Sequence, residues 1–171
     1  ESIEQDFYNF FINKILVQWE IISDNFYKNY MQNEFNNLIT IDELIISPSD
    51  FGFHNILLYK EELKFFDFEY AGLDDPIKLI CDFISHPDQN IGSIQINLFK
   101  KQIFQFLQNE DYYNHLVKIF LPFHQLKWCC IILNEFRPDK IKIRRHAGYV
   151  DNNLLQKQLT KSKDLFHKYF E

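Results

Sequence analysis

The chain has 171 residues, of which 46% are hydrophobic and 18% aromatic, and it carries a formal net charge of −6. That apolar content excludes a disordered chain, and the length suits one domain with a substantial core. The acidic balance argues against a dedicated nucleic-acid binder, which carries a basic stripe.

In chain order, Ser2 and Gln5 form a capping-box start, and Ile3, Phe7, Phe10 and Phe11 give the apolar face of a first helix. Ser23-Asp24-Asn25 predicts a break before a second helical run through Phe26, Tyr30 and Phe35. Residues 41–47 lead out as a short strand. Asn55–Tyr59 and Leu63–Phe66 are short apolar runs separated by Lys60-Glu61-Glu62, the pattern of a β-hairpin. Asp75-Pro76 starts a helix that runs to about Ser85 and stops at His86-Pro87. Ser93 caps a helix to about Asn109. Asp111 opens a longer one to about Glu135, bent at Pro122 and closed by Arg137-Pro138. A last amphipathic helix covers roughly residues 152–170. The expectation is an α+β fold, mainly α: one helical body carrying a single hairpin and its loops.

The chemistry-bearing residues lie in the hairpin segment. Asp50 and Asn55 form a D-x-x-x-x-N pattern, in which a carboxylate can accept a proton from a hydroxyl while an amide oxygen five residues on reaches a divalent cation. Asp67, returned by the hairpin to the neighbourhood of Asn55, supplies a second hard oxygen ligand of the kind Mg²⁺ prefers. Phosphoryl transfer asks for this set, because the protein's work there is positioning and charge neutralisation. Each residue alone also has an ordinary turn or cap reading. The compound pattern carries the assignment.

The stretches Pro48-Ser49-Asp50-Phe51-Gly52-Phe53-His54-Asn55, Asp67-Phe68-Glu69-Tyr70-Ala71-Gly72 and Asp75-Pro76 together resemble the aminoglycoside phosphotransferase and choline kinase family, whose fold is related to that of protein kinases. There a catalytic loop H-x-D-x-x-x-x-N is followed by a hairpin and by D-x-E/D-x-(A/S)-G. The resemblance implies Asp50 as catalytic base, Asn55 and Asp67 as ligands of Mg²⁺ and binders of ATP, and Glu69 in the outer shell of the metal. It implies ATP-dependent phosphorylation of a hydroxyl on a small polar metabolite such as a sugar, amino sugar or amino alcohol. Two positions depart from the family. Pro48 replaces the histidine that braces the loop, and Leu79 stands where an aspartate is common, with Asp82 one helical turn later on a similar face.

The 49 residues before Asp50 read as helix and hold no Gly-rich loop or strand lysine. The first residue is Glu1 rather than Met. The expectation is therefore the C-terminal lobe of a longer phosphotransferase, a poor catalyst without its nucleotide-covering lobe.

Other residues have plainer readings. His54 supports the loop by hydrogen bonding. Cys81-x₄-His86 and His124-x₄-Cys129 miss the usual zinc spacings. Lys140, Lys142, Arg144, Arg145 and His146 form a solvated basic edge or an anion contact. Glu135 and the aromatics around Trp128 and Phe136 belong to helices that, by the resemblance, border the acceptor pocket. Three cysteines with an adjacent pair make no disulfide framework, so a reducing cytoplasm is expected, and no unbroken apolar run approaches the roughly 20 residues of a membrane span.

Two competing readings remain open from sequence. Asp67-Phe68-Glu69 is similar to the D-x-E strand of proofreading-type 3′–5′ exonucleases, with His146 and Asp151 downstream, although Ala147 follows the histidine directly. A kinase-like module without turnover is the other, motivated by Pro48 and the unseen lysine.

Overall fold

In the computed structural model, residues 2–30, 39–146 and 153–171 are described. The helices are α1 (Ile3–Phe10), α2 (Val17–Asn29), α3 (Pro76–Ser85), α4 (Ser93–Phe104), α5 (Glu110–Ile132), α6 (Pro138–His146) and α7 (Leu154–Phe170). Four short strands are β1 (Ile45–Ser47), β2 (Ile56–Tyr59), β3 (Glu62–Phe65) and β4 (Gly72–Asp74). The fold is α+β and mainly α. By internal contacts the chain falls into two compact units, Lys28–His124 and the pairing of Glu1–Tyr27 with Gln125–Glu171.

The Lys28–His124 unit holds all four strands in two nested antiparallel ladders. The outer ladder pairs Ile45 with Asp74 and Ser47 with Gly72, and the inner pairs Ile56 with Phe65 and Tyr59 with Glu62. The inner hairpin turns through two residues, not the three expected: Glu62 is in β3, and Lys60 and Glu61 take φ of 47° and 64°. Positive φ at both central residues is the turn whose twist matches the strands, even where neither residue is Gly or Asn.

Asp75 caps α3 by accepting from Ile77 N–H at 2.8 Å, with Pro76 in the first helical position. On α3, Ile77, Ile80 and Cys81 recur at helical spacing and meet Phe104 of α4 and Tyr113 and Val117 of α5 in a buried cluster. Each such side chain contributes roughly 1.5–3 kcal/mol on burial. Cys81 is a core residue whose thiol points at the Val117 carbonyl, 3.9 Å away. Burial raises the Asp75 carboxyl above its ordinary 3.8, reinforced by the Asp74 charge and opposed by the Ile77 N–H. A raised carboxyl is favoured protonated in the fold, so its contribution to stability falls as pH rises through the interval above 3.8. Asp75→Asn keeps the cap acceptor without the charge. It should match or exceed the wild type in stability at neutral pH and lose that advantage below the ordinary carboxyl value, as read by denaturant unfolding at both pH values.

In the other unit, α1 and α2 form one uninterrupted helix through a π-helical stretch, Phe11–Leu16. The expected break at Ser23-Asp24-Asn25 is absent. These residues favour caps but contain neither Gly nor Pro, so nothing forces the backbone out of helix; Phe35 lies outside the described residues. Phe7 stacks on Phe136 at 4.3 Å, and Phe10 meets Phe166 edge-on at 5.7 Å. Ser162, fully buried, donates to the Cys129 carbonyl at 3.0 Å, letting α7 approach α5 closely. Burial pushes the Cys129 thiol up to about 12, the behaviour of a core thiol rather than a nucleophile.

Three further boundaries differ from expectation. Gly92, not Ser93, caps α4, which ends at Phe104. Helix α5 continues through Pro122, as expected, but ends at Ile132, before Glu135. Arg137-Pro138 ends a 3₁₀ turn, Leu133–Phe136, but Pro138 then opens α6, because proline suits a first helical turn as well as it ends a preceding one. The start expected for the last helix at residue 152 lies outside the described residues. Glu110–Phe136 is long enough to cross a membrane and contains an 18-residue stretch of mean hydropathy 1.5, a combination that core helices of soluble proteins also reach. One-third of that stretch is buried, with Val117, Leu126 and Cys129 among its core residues.

Candidate active site

The nesting of the ladders builds the site. Residues 48–55 connect β1 to β2, residues 66–71 connect β3 back to β4, and the two connections therefore leave the same two ladders side by side. Asp50 and Asn55 lie on the first, Asp67 and Glu69 on the second. Phe66 N–H donates to the Asn55 carbonyl at 3.2 Å, so the residue before Asp67 is tied to Asn55. The hairpin thus brings Asn55 and the Asp67 segment together at backbone level.

Inside the first connection, Asn55 Nδ2 donates to the Asp50 carbonyl at 2.9 Å, and Asn55 N–H donates to the Gly52 carbonyl at 3.0 Å. Asn55 is buried, whereas the Asp50 side chain is half exposed. With its Nδ2 engaged, the Asn55 amide offers Oδ1 as its ligating atom, the atom a hard cation requires. Apolar side chains nail the loop down. Phe51 stacks on Phe99 of α4 at 5.6 Å and packs on Phe83 of α3 at 5.5 Å, and Phe53 meets Phe83 edge-on at 5.9 Å. Asp50 and Asn55 border a cavity of about 290 Å³, walled by Phe51, Ile56, Phe65, Phe66 and Phe68. A small, mostly apolar pocket with two convergent polar groups has the makeup of a ligand site.

Lys78, which sequence reasoning missed, ties this loop to α3. Its Nζ donates to Ser49 Oγ at 3.1 Å and pairs with Asp74 at 2.7 Å, while Ser49 takes a left-handed φ of 66°. Ser49 N–H in turn donates to the buried Ser47 Oγ at 2.9 Å. One turn on, Asp82 stands 3.9 Å from Lys78 and is held by His124 Nδ1 at 2.8 Å. The place given to Asp82 by analogy, as a stand-in for the family aspartate, is thus taken up by a brace between α3 and α5. The signal for Lys78 in the sequence is only its i+4 spacing from Asp74.

Asp67 has φ 64°, a left-handed conformation that Asp tolerates better than most residues at a cost of roughly 1 kcal/mol. Its carboxylate and that of Glu69 are exposed. Their charges converge on Tyr70. The phenol is raised above its usual range first by its hydrogen bond to Glu69, then by the Glu69 charge, and last by Asp67. An amide oxygen and carboxylates are hard donors that suit Mg²⁺ better than zinc, and here the backbone bond from Phe66 to Asn55 ties the segments that carry them. Among the described residues no group of three His, Cys, Asp or Glu side chains is arranged to hold a metal.

Strand β3 ends at Phe65, so Asp67 and Glu69 lie in a turn and not along one face of a strand as the D-x-E arrangement needs. Asp151 and Ala147 lie outside the described residues. Glu135, placed near an acceptor pocket by analogy, is clasped by Arg144 at 2.6 and 2.5 Å, and Arg144 sits on a helix rather than an extended edge. Comparison of the chain with family models, curated proteins and solved structures found no match.

Proposed function

We propose that the chain is the catalytic lobe of a small-molecule kinase that transfers the γ-phosphate of ATP to a hydroxyl of a small polar metabolite. The observation that supports this most is the pairing of the two connections, with Asn55 bonded to the Asp50 carbonyl on one side and to Phe66 N–H on the other. In this reading Asp50 orients the acceptor hydroxyl and takes its proton. Asn55 Oδ1 and Asp67 hold Mg²⁺, with Glu69 in its outer shell. The metal, when bound, neutralises charge on the phosphates. The apolar walls of the cavity exclude water from the reacting hydroxyl, and the nucleotide is completed by a covering lobe outside this chain.

Buried cysteines outside any disulfide, Cys81 and Cys129, suit a reducing cytoplasm, and the reading calls for no nucleic-acid or membrane partner. The acceptor's identity belongs to side chains around the cavity, not to the scaffold. The test is an incubation of the full-length protein with γ-labelled ATP, Mg²⁺ and a panel of sugars, amino sugars and amino alcohols. Label on an acceptor, lost with Asp50→Ala, supports the kinase. Label on none, with no ATP consumed, favours a module without turnover.

A further inference from the structure

His54 lies four residues after Asp50, and its Nε2 is 3.3 Å from Asp50 Oδ2. The ring is stacked on His86 with centroids 4.7 Å apart and planes 15° from parallel. His86 is itself fixed. It is buried at the C-terminal end of α3, and its Nδ1 accepts from Asp88 N–H at 3.2 Å. On the other side the ring is seated against Gly52, where a Cβ would fall 2.6 Å from both His54 Nδ1 and Cε1. Gly52 is extended, so it is the ring and not the backbone that demands glycine there.

Beside the same point lies Gln89 Nε2, 3.1 Å from where that Cβ would be. Gln89 is 5% exposed and neither atom of its amide has a partner. Packed against Gly52, the Gln89 side chain fills the space there without a hydrogen bond to the His54 ring. Asp50 Oδ2 is a carboxylate oxygen and accepts, so the contact puts the imidazole proton on Nε2, facing the carboxylate.

Resting on the kinase reading, we propose that His54 is the positioning residue of the site: seated on Gly52 and stacked on His86, it donates from Nε2 to Asp50 Oδ2 and holds that carboxylate toward the acceptor hydroxyl. It does from within the loop what Pro48 cannot do from before it. Nothing is transferred to or from His54; the proton of the acceptor ends on Asp50.

The test uses the full-length protein. Nitrogen-15 imidazole spectra should show the His54 proton on Nε2, with that resonance moved by Asp50→Asn. In kinetics, His54→Ala should lower kcat by about 10- to 100-fold with KM for Mg·ATP changed little, the signature of a misplaced group. His54→Asn, which keeps a donor, should recover part of the loss, and Gly52→Ala, which displaces the ring without removing it, should reproduce it. A His54 signal indifferent to Asp50→Asn overturns the contact whether or not the protein is a kinase. An unchanged kcat in His54→Ala overturns the role and leaves the kinase reading intact. A wild type that transfers no phosphate, with the spectral coupling present, overturns the kinase reading and the catalytic meaning of the contact with it.

Discussion

Asp50→Ala is expected to reduce phosphotransfer turnover by about 10²–10⁴-fold, the range over which a positioned general base contributes. Affinity for Mg·ATP should stay within a few-fold of wild type. The split follows from the structure: Asp50 enters the loop's framework through its main chain, by donating its N–H to Pro48 and accepting from Asn55 Nδ2 on its carbonyl. Among the described residues the half-exposed carboxylate has its polar contact with His54 Nε2. Removing the carboxylate therefore leaves the loop hydrogen bonds and the Phe51 and Phe53 anchors in place. Steady-state kinetics beside nucleotide titration checks it. Turnover within a few-fold of wild type would remove Asp50 from the chemistry.

Asn55→Asp should be nearly as damaging, although it adds a charged oxygen where a cation is expected. A residue that did nothing but ligate Mg²⁺ would tolerate or gain from this change. Asn55, however, also donates from Nδ2 to the Asp50 carbonyl and is only 8% exposed. Aspartate there loses the donor, faces a carbonyl with a second acceptor and buries a charge. An unsatisfied buried group costs about 1–3 kcal/mol, more when charged. The loop that carries Asp50 would shift, and a displacement near 1 Å can cost about 100-fold in rate. The expected result is a fall in kcat of at least about tenfold with a lower unfolding midpoint. Rate and stability both at wild-type levels would show that the tie to Asp50 does not matter.

Local signals made much of this architecture legible. Asp75-Pro76 and His86-Pro87 bracket α3 because a cap and a proline act within a few residues, and the inner hairpin shows itself by apolar runs around a polar turn. The outer ladder was not legible. Its strands have three residues each, too few for alternation to register, and they pair across the whole of the inner hairpin. Yet that ladder sets the two connections side by side. Lys78 was hidden for the same reason, since its bond to Ser49 spans 29 residues and no pattern links them. Ser23-Asp24-Asn25 misled because cap preference is a local option that a packed helix can decline. Nothing in the sequence marks the loop aromatics as anchors. In the structure, Phe51 and Phe53 alternate with the site residues, so the D-F-G-F-H-N stretch is half anchor and half chemistry.

The central claim is that Asp67 is a metal ligand for a nucleotide, and calorimetric titration of Mg·ATP into the full-length protein, beside Asp67→Asn, tests it most directly. Asparagine is suited to this control because it tolerates the left-handed backbone that Asp67 adopts, so the turn is kept and only the charge is lost. The account expects magnesium-dependent binding by the wild type and its loss in Asp67→Asn, with unfolding midpoints alike. Equal binding by both proteins, or binding by the wild type that is indifferent to magnesium, would contradict it.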